Sequence, residues 1–366
     1  MKIAIVGTRG IPAKYGGFET FAEELSIRLV KKDIEVDVYC DYESYPYDKY
    51  KGVNLKFLDI TKTSHPLKYY FQSIVLAERN GSDVILCCGC GGFGALLRHR
   101  IFCKQGIFIT NTDGIEHRRT KWNWFLRQCG RFALEYLSVQ FSNYLIADSE
   151  GIRKYLLSSY PISKKKIFTI EYGAYLSPVF LEQYLVSLNL KVKEYYLIVS
   201  RLEPENNVSL IIEGYVKSTS VYPLLIVGNL KNSKYVNELL SYRSEKIIFI
   251  GGIYDKEKLS SIRIGCRAYL HGHSVGGTNP SLLEALGCGN LVIAHDNVFN
   301  REVTDNKMFY FADSCECSEA IDKVDRMNNE ELERYSVISK DRIMTYYNWE
   351  RITNLYEKMF HKVLMK

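Results

Sequence analysis

The chain has 366 residues, 46% apolar and 25% charged, which is enough to bury large cores in two domains and excludes wholesale disorder. Only 8 prolines interrupt it, and no run reaches the ~18 consecutive apolar residues of a membrane-spanning helix. Its net charge of +6 is uneven: residues 1–172 carry 25 Lys and Arg against 18 Asp and Glu, while residues 173–366 carry 23 against 24, so the first half is expected to face phosphate, nucleic acid or a lipid surface.

Met1-Lys2-Ile3-Ala4-Ile5-Val6-Gly7 reads as a strand and not as a cleavable leader, so no secretion signal is expected. Ten cysteines without a leader suit a reducing cytosol. Cys87-Cys88-x-Cys90 has no second cluster at zinc-finger spacing, which leaves buried cysteines at a strand end as its reading. Further strands are expected at 35–40, 53–58, 83–88, 107–110 and 144–147, with helical periods at 18–31, 69–80 and 122–141. Ser149 should cap a helix running to Tyr160, closed by Pro161. After an irregular stretch at 172–194 the alternation resumes. Strands are expected at 195–200, 224–228, 247–250, 268–271 and 291–295, and helices at 208–218, 234–242, 256–265 and 281–287. The stretch 329–366 reads as helical throughout. Strand–helix alternation, twice over, predicts an α/β chain of two doubly wound, Rossmann-like parallel-sheet domains, with ligands at the C-terminal ends of the strands. The expected boundaries are 1–172 and 173–349, with a helix at about 350–366 packing back on the first domain.

Three stretches that follow strands carry candidate chemistry. Gly16 and Gly17, opening a helix after the first strand, would let backbone N–H groups approach a phosphate, or simply form a tight turn. The loop matches neither GxGxxG nor GxxxxGK[ST], which disfavours a dinucleotide or P-loop site. Arg201, in Val199-Ser200-Arg201-Leu202-Glu203-Pro204-Glu205-Asn206-Asn207, could clamp a diphosphate or pair with Glu203 or Glu205 on the surface. The third stretch is His271-Gly272-His273-Ser274-Val275-Gly276-Gly277-Thr278-Asn279-Pro280-Ser281. There Gly276, Gly277, Thr278 and Asn279 would offer N–H groups to an anion at a helix N-terminus. Glu284, inside an otherwise apolar helix, needs a partner and could accept hydrogen bonds from sugar hydroxyls.

The order of the 199–207 strand end, the 280–289 helix and the closing Asn348-Trp349-Glu350 resembles the GT-B glycosyltransferases of family 4. Tyr15-Gly16-Gly17-Phe18-Glu19-Thr20, Asn111-x-Asp113-Gly114-x-Glu116 and the 201–207 and 272–281 stretches look like the bacterial rhamnosyltransferase branch that builds capsule, O-antigen and cell-wall polysaccharides. The resemblance implies two domains facing a cleft, acceptor on the first and nucleotide-sugar donor on the second, with Glu284 on the ribose. It implies transfer of L-rhamnose from dTDP-β-L-rhamnose, with retention, to a saccharide on an undecaprenyl-pyrophosphate-type lipid at the cytoplasmic membrane face. No metal or other cofactor is expected. Two positions depart from the wider family: Asn206 replaces a Lys and Gly276 a Glu that reads hexose hydroxyls, which fits a 6-deoxyhexose. His117 stands where the branch usually places Trp.

Asp113 or Glu116 could orient the acceptor hydroxyl or take its proton, against the plain reading of Asp113-Gly114 as a turn. Residues 98–131 hold eight Lys and Arg against two acids. Within them Arg118, Arg119, Lys121 and Trp122 suit an anionic membrane surface, or else a solvated helix face with Trp122 in the core. No nucleic-acid-binding motif accompanies them. The alternatives are transfer of another sugar from a UDP- or GDP-linked donor, and a non-catalytic nucleotide-sugar-binding subunit.

Overall fold

The aliphatic runs form strands that are buried on both faces, as parallel strands flanked by helices must be. The computed structural model describes residues 1–14, 16–41, 45–102, 106–112, 131–177 and 179–365. The chain divides into two units, Met1–Tyr172 with Trp349–Lys366, and Gly173–Asn348.

The first unit holds β1 (Lys2–Val6), β2 (Glu35–Asp41), β3 (Lys49–Tyr50), β4 (Val53–Leu58), β5 (Val84–Cys88), β6 (Ile107–Asn111), β7 (Tyr144–Ala147) and β8 (Ile167–Thr169). They form one sheet in the order β3-β4-β2-β1-β5-β6-β7-β8. All pair in parallel except β3 with β4 at the edge. Ser149 caps the Glu150–Ser159 helix, its hydroxyl oxygen accepting the Ile152 N–H at 3.2 Å. The Phe93–Phe102 helix is not among those expected from the sequence. Of the helix expected at 122–141, the described part is a π-helical turn, Arg131–Tyr136, followed by Leu137–Phe141.

The expected unbroken 329–366 helix is corrected. Asn328 opens the Asn329–Arg342 helix with a capping box, and the chain widens to π geometry at Ile343–Tyr347. Asn348 then turns extended, with φ −73° and ψ 144°, bridges Ala174 and donates its side-chain amide to the Met344 carbonyl at 2.7 Å. That bond ends one helix before the Trp349–Leu364 helix begins. The latter packs on the first unit: Tyr356 is fully buried 5.4 Å from the Phe21 ring, and Lys32 pairs with Glu357 at 2.9 Å.

The second unit is a six-stranded, wholly parallel sheet of β9 (Tyr196–Val199), β10 (Leu224–Val227), β11 (Ile247–Gly251), β12 (Ala268–His271), β13 (Val292–His295) and β14 (Phe309–Phe311). Its order is β11-β10-β9-β12-β13-β14. From β9 the chain winds outward one way, and from β12 the other. The C-terminal ends of these two neighbours therefore flank a topological switch point, where connections diverge and leave a crevice. Aliphatic side chains from the two central strands and their outer neighbours, among them Ile198, Leu270, Ile226 and Ile293, bury into one core that fixes those ends.

Candidate functional site

In the first unit the space expected to cradle a phosphate holds a side chain. A Cβ at Gly16 would lie 2.0 Å from Glu19 Oε2, so the close approach that glycine permits there is to the protein's own carboxylate. Glu19 is buried, and its Oε1 accepts the Arg9 N–H at 2.9 Å. A carboxylate in the first turn of the Gly17–Val30 helix suits the positive end of the helix dipole, and an incoming phosphate at Gly16 and Gly17 would meet like charge. Asp113, Glu116, Arg118, Arg119, Lys121 and Trp122 lie outside the described residues. The strand that leads to them is held firmly: the Thr112 hydroxyl donates to the Ile146 carbonyl at 3.1 Å, and the Asn111 amide to Tyr356 Oη at 3.4 Å.

The second unit places Arg201, Asn206, Gly276, Gly277, Thr278 and Asn279 on the segments that follow its switch-point strands, and Glu284 on the Pro280–Gly287 helix next after them. Past β9 the chain turns through Ser200 and Arg201 into a short 3₁₀ segment, Pro204–Asn206. The loop after β12 is stitched to this turn. Asn207 donates to the Gly272 carbonyl at 2.8 Å, and Ser274 N–H donates to the Glu205 carbonyl at 3.0 Å. Gly272 must be glycine, because a Cβ there would sit 2.1 Å from the Asn206 carbonyl oxygen. Both ends of the Asn206 amide are engaged: Nδ2 donates to the Arg201 carbonyl and Oδ1 meets His273 Nδ1, each at 2.7 Å. Asn206, expected as a donor contact, is thus a clip that holds Arg201's loop. Arg201 itself is exposed and pairs with Glu203 at 3.4 Å, as its surface reading anticipated.

At the Pro280–Gly287 helix the first-turn donors are already satisfied. Pro280 has no N–H, the Asn279 side chain accepts from Ser281 N at 2.9 Å, and the Asn279 carbonyl accepts from Leu282 and Leu283, each at 3.1 Å. Asn279 is therefore an N-cap. Open donors lie one step earlier, where the N–H groups of Gly276 and Gly277 make no hydrogen bond among the described residues. Gly276 has φ +110°, a conformation that favours glycine over any residue with a side chain. Thr278 is buried beside them.

Glu284 has the partner that its apolar helix demanded, and it is Arg263 of the Lys256–Gly265 helix, at 2.7 Å. Arg263 is 4% exposed. It was not anticipated, although Leu259, Ile262, Arg263 and Cys266 fall at apolar-stripe spacing, where an arginine signals a buried partner. His271, at the end of β12, was also missed. It is 5% exposed, and its Nε2 has no hydrogen-bond partner among the described residues. Burial first, then His273, His295 and Arg263, hold its imidazole well below the ordinary pKa of 6.5. The end of the second unit's sheet thus offers a cation on an exposed turn, backbone donors in a glycine loop and a half-exposed carboxylate, which together suit a phosphorylated, hydroxylated ligand.

The family profile described as Glycosyl transferases group 1 matches residues 184–343, and one described as a domain of unknown function (DUF1972) matches residues 1–175. An uncharacterized glycosyltransferase of Methanocaldococcus jannaschii is 23% identical over 233 residues, 61% of this chain and 59% of that relative, so the match spans about three-fifths of the relative's length. Among solved structures, sucrose-phosphate synthase from Thermosynechococcus elongatus superposes with a TM-score of 0.82 at 16% identity, covering 100% of this chain and 99% of that one. A glycosyltransferase from Rickettsia africae gives 0.74 at 13% identity, over 100% and 98%. Anabaena HepE in complex with UDP gives 0.74 at 15% identity, over 99% and 100%. Residues 184–343 thus match a glycosyl transferases group 1 domain, and the chain has the fold of GT-B glycosyltransferase structures, two parallel-sheet α/β domains.

Proposed function

We propose that the chain transfers L-rhamnose from dTDP-β-L-rhamnose, with retention, to a lipid-pyrophosphate-linked saccharide in bacterial surface-polysaccharide synthesis. The observation that carries the donor half is the switch point at the C-terminal ends of β9 and β12, where Arg201 and the Gly276-Gly277 donors lie on the loops that follow and Glu284 on the helix after them. In this reading the diphosphate lies against the Gly276 and Gly277 N–H groups, and Arg201 exchanges Glu203 for a phosphate oxygen. As the sugar–oxygen bond breaks, charge grows on the departing diphosphate, and these donors stabilise it more than they stabilise the bound substrate. Glu284 accepts from the nucleotide sugar ring. The φ of Gly276 supports a 6-deoxyhexose, since no side chain from that position reads further sugar hydroxyls.

The acceptor half rests on the first unit. Asp113 or Glu116, beyond the anchored end of β6, would orient the acceptor hydroxyl, with the leaving diphosphate assisting its deprotonation. Arg118, Arg119, Lys121 and Trp122 would hold the anionic membrane that carries the lipid. A peripheral place at the cytoplasmic face follows from that acceptor, and no helix among the described residues is long and apolar enough to cross a membrane.

A second reading, a UDP-linked donor of another sugar, is favoured by the likeness to HepE, which is described in complexes with UDP and with UDP-glucose. The test is incubation with labelled dTDP-rhamnose, UDP-glucose and GDP-mannose in the presence of extracted lipid-linked glycans. Label should move from dTDP-rhamnose to lipid. Transfer from a UDP- or GDP-sugar alone would overturn the rhamnose assignment, and tight binding without transfer from any donor would make the chain a nucleotide-sugar-binding subunit.

A further inference from the structure

Arg263 lies on the buried face of the Lys256–Gly265 helix with Ser261, Ile262 and Gly265. A guanidinium this deep needs fixed acceptors, and Nη2 donates to Glu284 Oε2 at 2.7 Å and to the Ser281 hydroxyl at 3.2 Å. The Ser281 and Tyr269 hydroxyls are 2.7 Å apart, and both reach the Val199 carbonyl, at 3.0 and 2.9 Å. Arg263 therefore ties the Pro280–Gly287 helix to the last residue of β9, two positions before Arg201. Only one oxygen of Glu284 is engaged. The side chain is 50% exposed, and Oε1 has no partner among the described residues.

A glutamate on a helix surface ordinarily samples several rotamers, and each hydroxyl it captures must first overcome that freedom. A planar guanidinium with its own stem buried removes much of that freedom in advance. We propose that Arg263 is the positioning residue of the donor site: it holds Oε2 of Glu284 so that Oε1 meets a hydroxyl of the nucleotide's sugar ring. This rests on the donor-site reading above. Arg263 touches no ligand and acts only through Glu284.

The test uses the whole chain and calorimetric titration with UDP, dTDP and GDP, followed by the 2′,3′-dideoxy analogue of whichever binds most tightly. Wild type should bind the parent nucleotide about tenfold more tightly than the analogue, the worth of one charge-assisted hydrogen bond. Arg263→Met should bind the parent about tenfold more weakly, bind the analogue as wild type does, and so lose the discrimination. Arg263→Lys should restore part of it, and it serves as the main variant if Arg263→Met does not fold. Equal weakening toward parent and analogue would show a merely structural role and overturn the proposal, as would discrimination that survives in both variants. A wild type that binds nucleotides but does not discriminate would remove Glu284 from the sugar ring and the proposal with it. A wild type that binds none of the three would overturn the donor-site reading itself.

Discussion

Arg201 is 44% exposed on its side chain and its pair with Glu203 is long, at 3.4 Å, so releasing it to an anion forfeits little: exposed pairs are worth ~0–1 kcal/mol. In the proposed reaction its contribution appears as charge develops on the leaving group. Arg201→Ala should lower turnover by ~10²-fold or more with an unchanged melting temperature, and a loss of only a few-fold would place it outside the site. Glu284 behaves differently, because its partner is buried. Glu284→Ala leaves the Arg263 guanidinium without its carboxylate, which should destabilise the free protein by about 1–3 kcal/mol in denaturant titrations, while Arg263→Met should be milder. If Glu284→Ala melts like wild type, water already satisfies Arg263 and the pair is incidental. His271 adds a pH dependence. Folded, its imidazole is held well below 6.5; unfolded, it takes a proton near 6.5. Its contribution to stability is therefore complete above pH 6.5 and is lost as pH falls below it, at up to ~1.4 kcal/mol per unit, until the folded-state pKa is reached. Denaturant titrations of His271→Gln between pH 6.5 and 5 should show a shallower decline than wild type.

At the scale of elements, the proposed donor site depends on two loops that are sewn together, and Gly272 is where they touch. Gly272→Ala would press a methyl against the Asn206 carbonyl, a backbone atom that the clip to Arg201 prevents from yielding freely. Nucleotide affinity should fall at least tenfold, with a destabilisation of ~1–3 kcal/mol. Unchanged affinity would mean that the 201–207 turn can shift without consequence. The strands around this site were legible because β9, β10, β12 and β13 are aliphatic runs bounded by turn residues. β3, β8 and β14 were not, since two or three residues cannot display a period. The site was legible in the same uneven way. Arg201 stands out at a strand end and Glu284 inside an apolar helix, but the sequence could not show that Glu19 fills the space at Gly16, that Asn206 clips a loop, or that Arg263 meets Glu284 from a helix twenty-one residues upstream. Those are side-chain encounters made by packing, and no local spacing encodes them.

For the whole molecule, the proposed chemistry neutralises a diphosphate with an arginine and backbone N–H groups. Transfer should therefore persist in excess EDTA, and complete loss restored by Mg²⁺ or Mn²⁺ would require a different account of the leaving group. A separate consequence follows from the path of the chain. The first unit is discontinuous, because its core takes in the Trp349–Leu364 helix, whose fully buried Tyr356 sits beside Phe21 and Asn111. A ribosome delivers residues 1–172 first, but their core stays uncovered at Phe21 until 176 further residues, the entire second unit, have been made. Domains commonly fold in the order in which they are synthesised. Here that order is inverted: the unit that begins second is the first to have all its parts, and the N-terminal unit must wait, partly bare, for a helix from beyond it. A nascent chain stalled before residue 349 should be cleaved by protease within the first 172 residues while the inserted unit already resists.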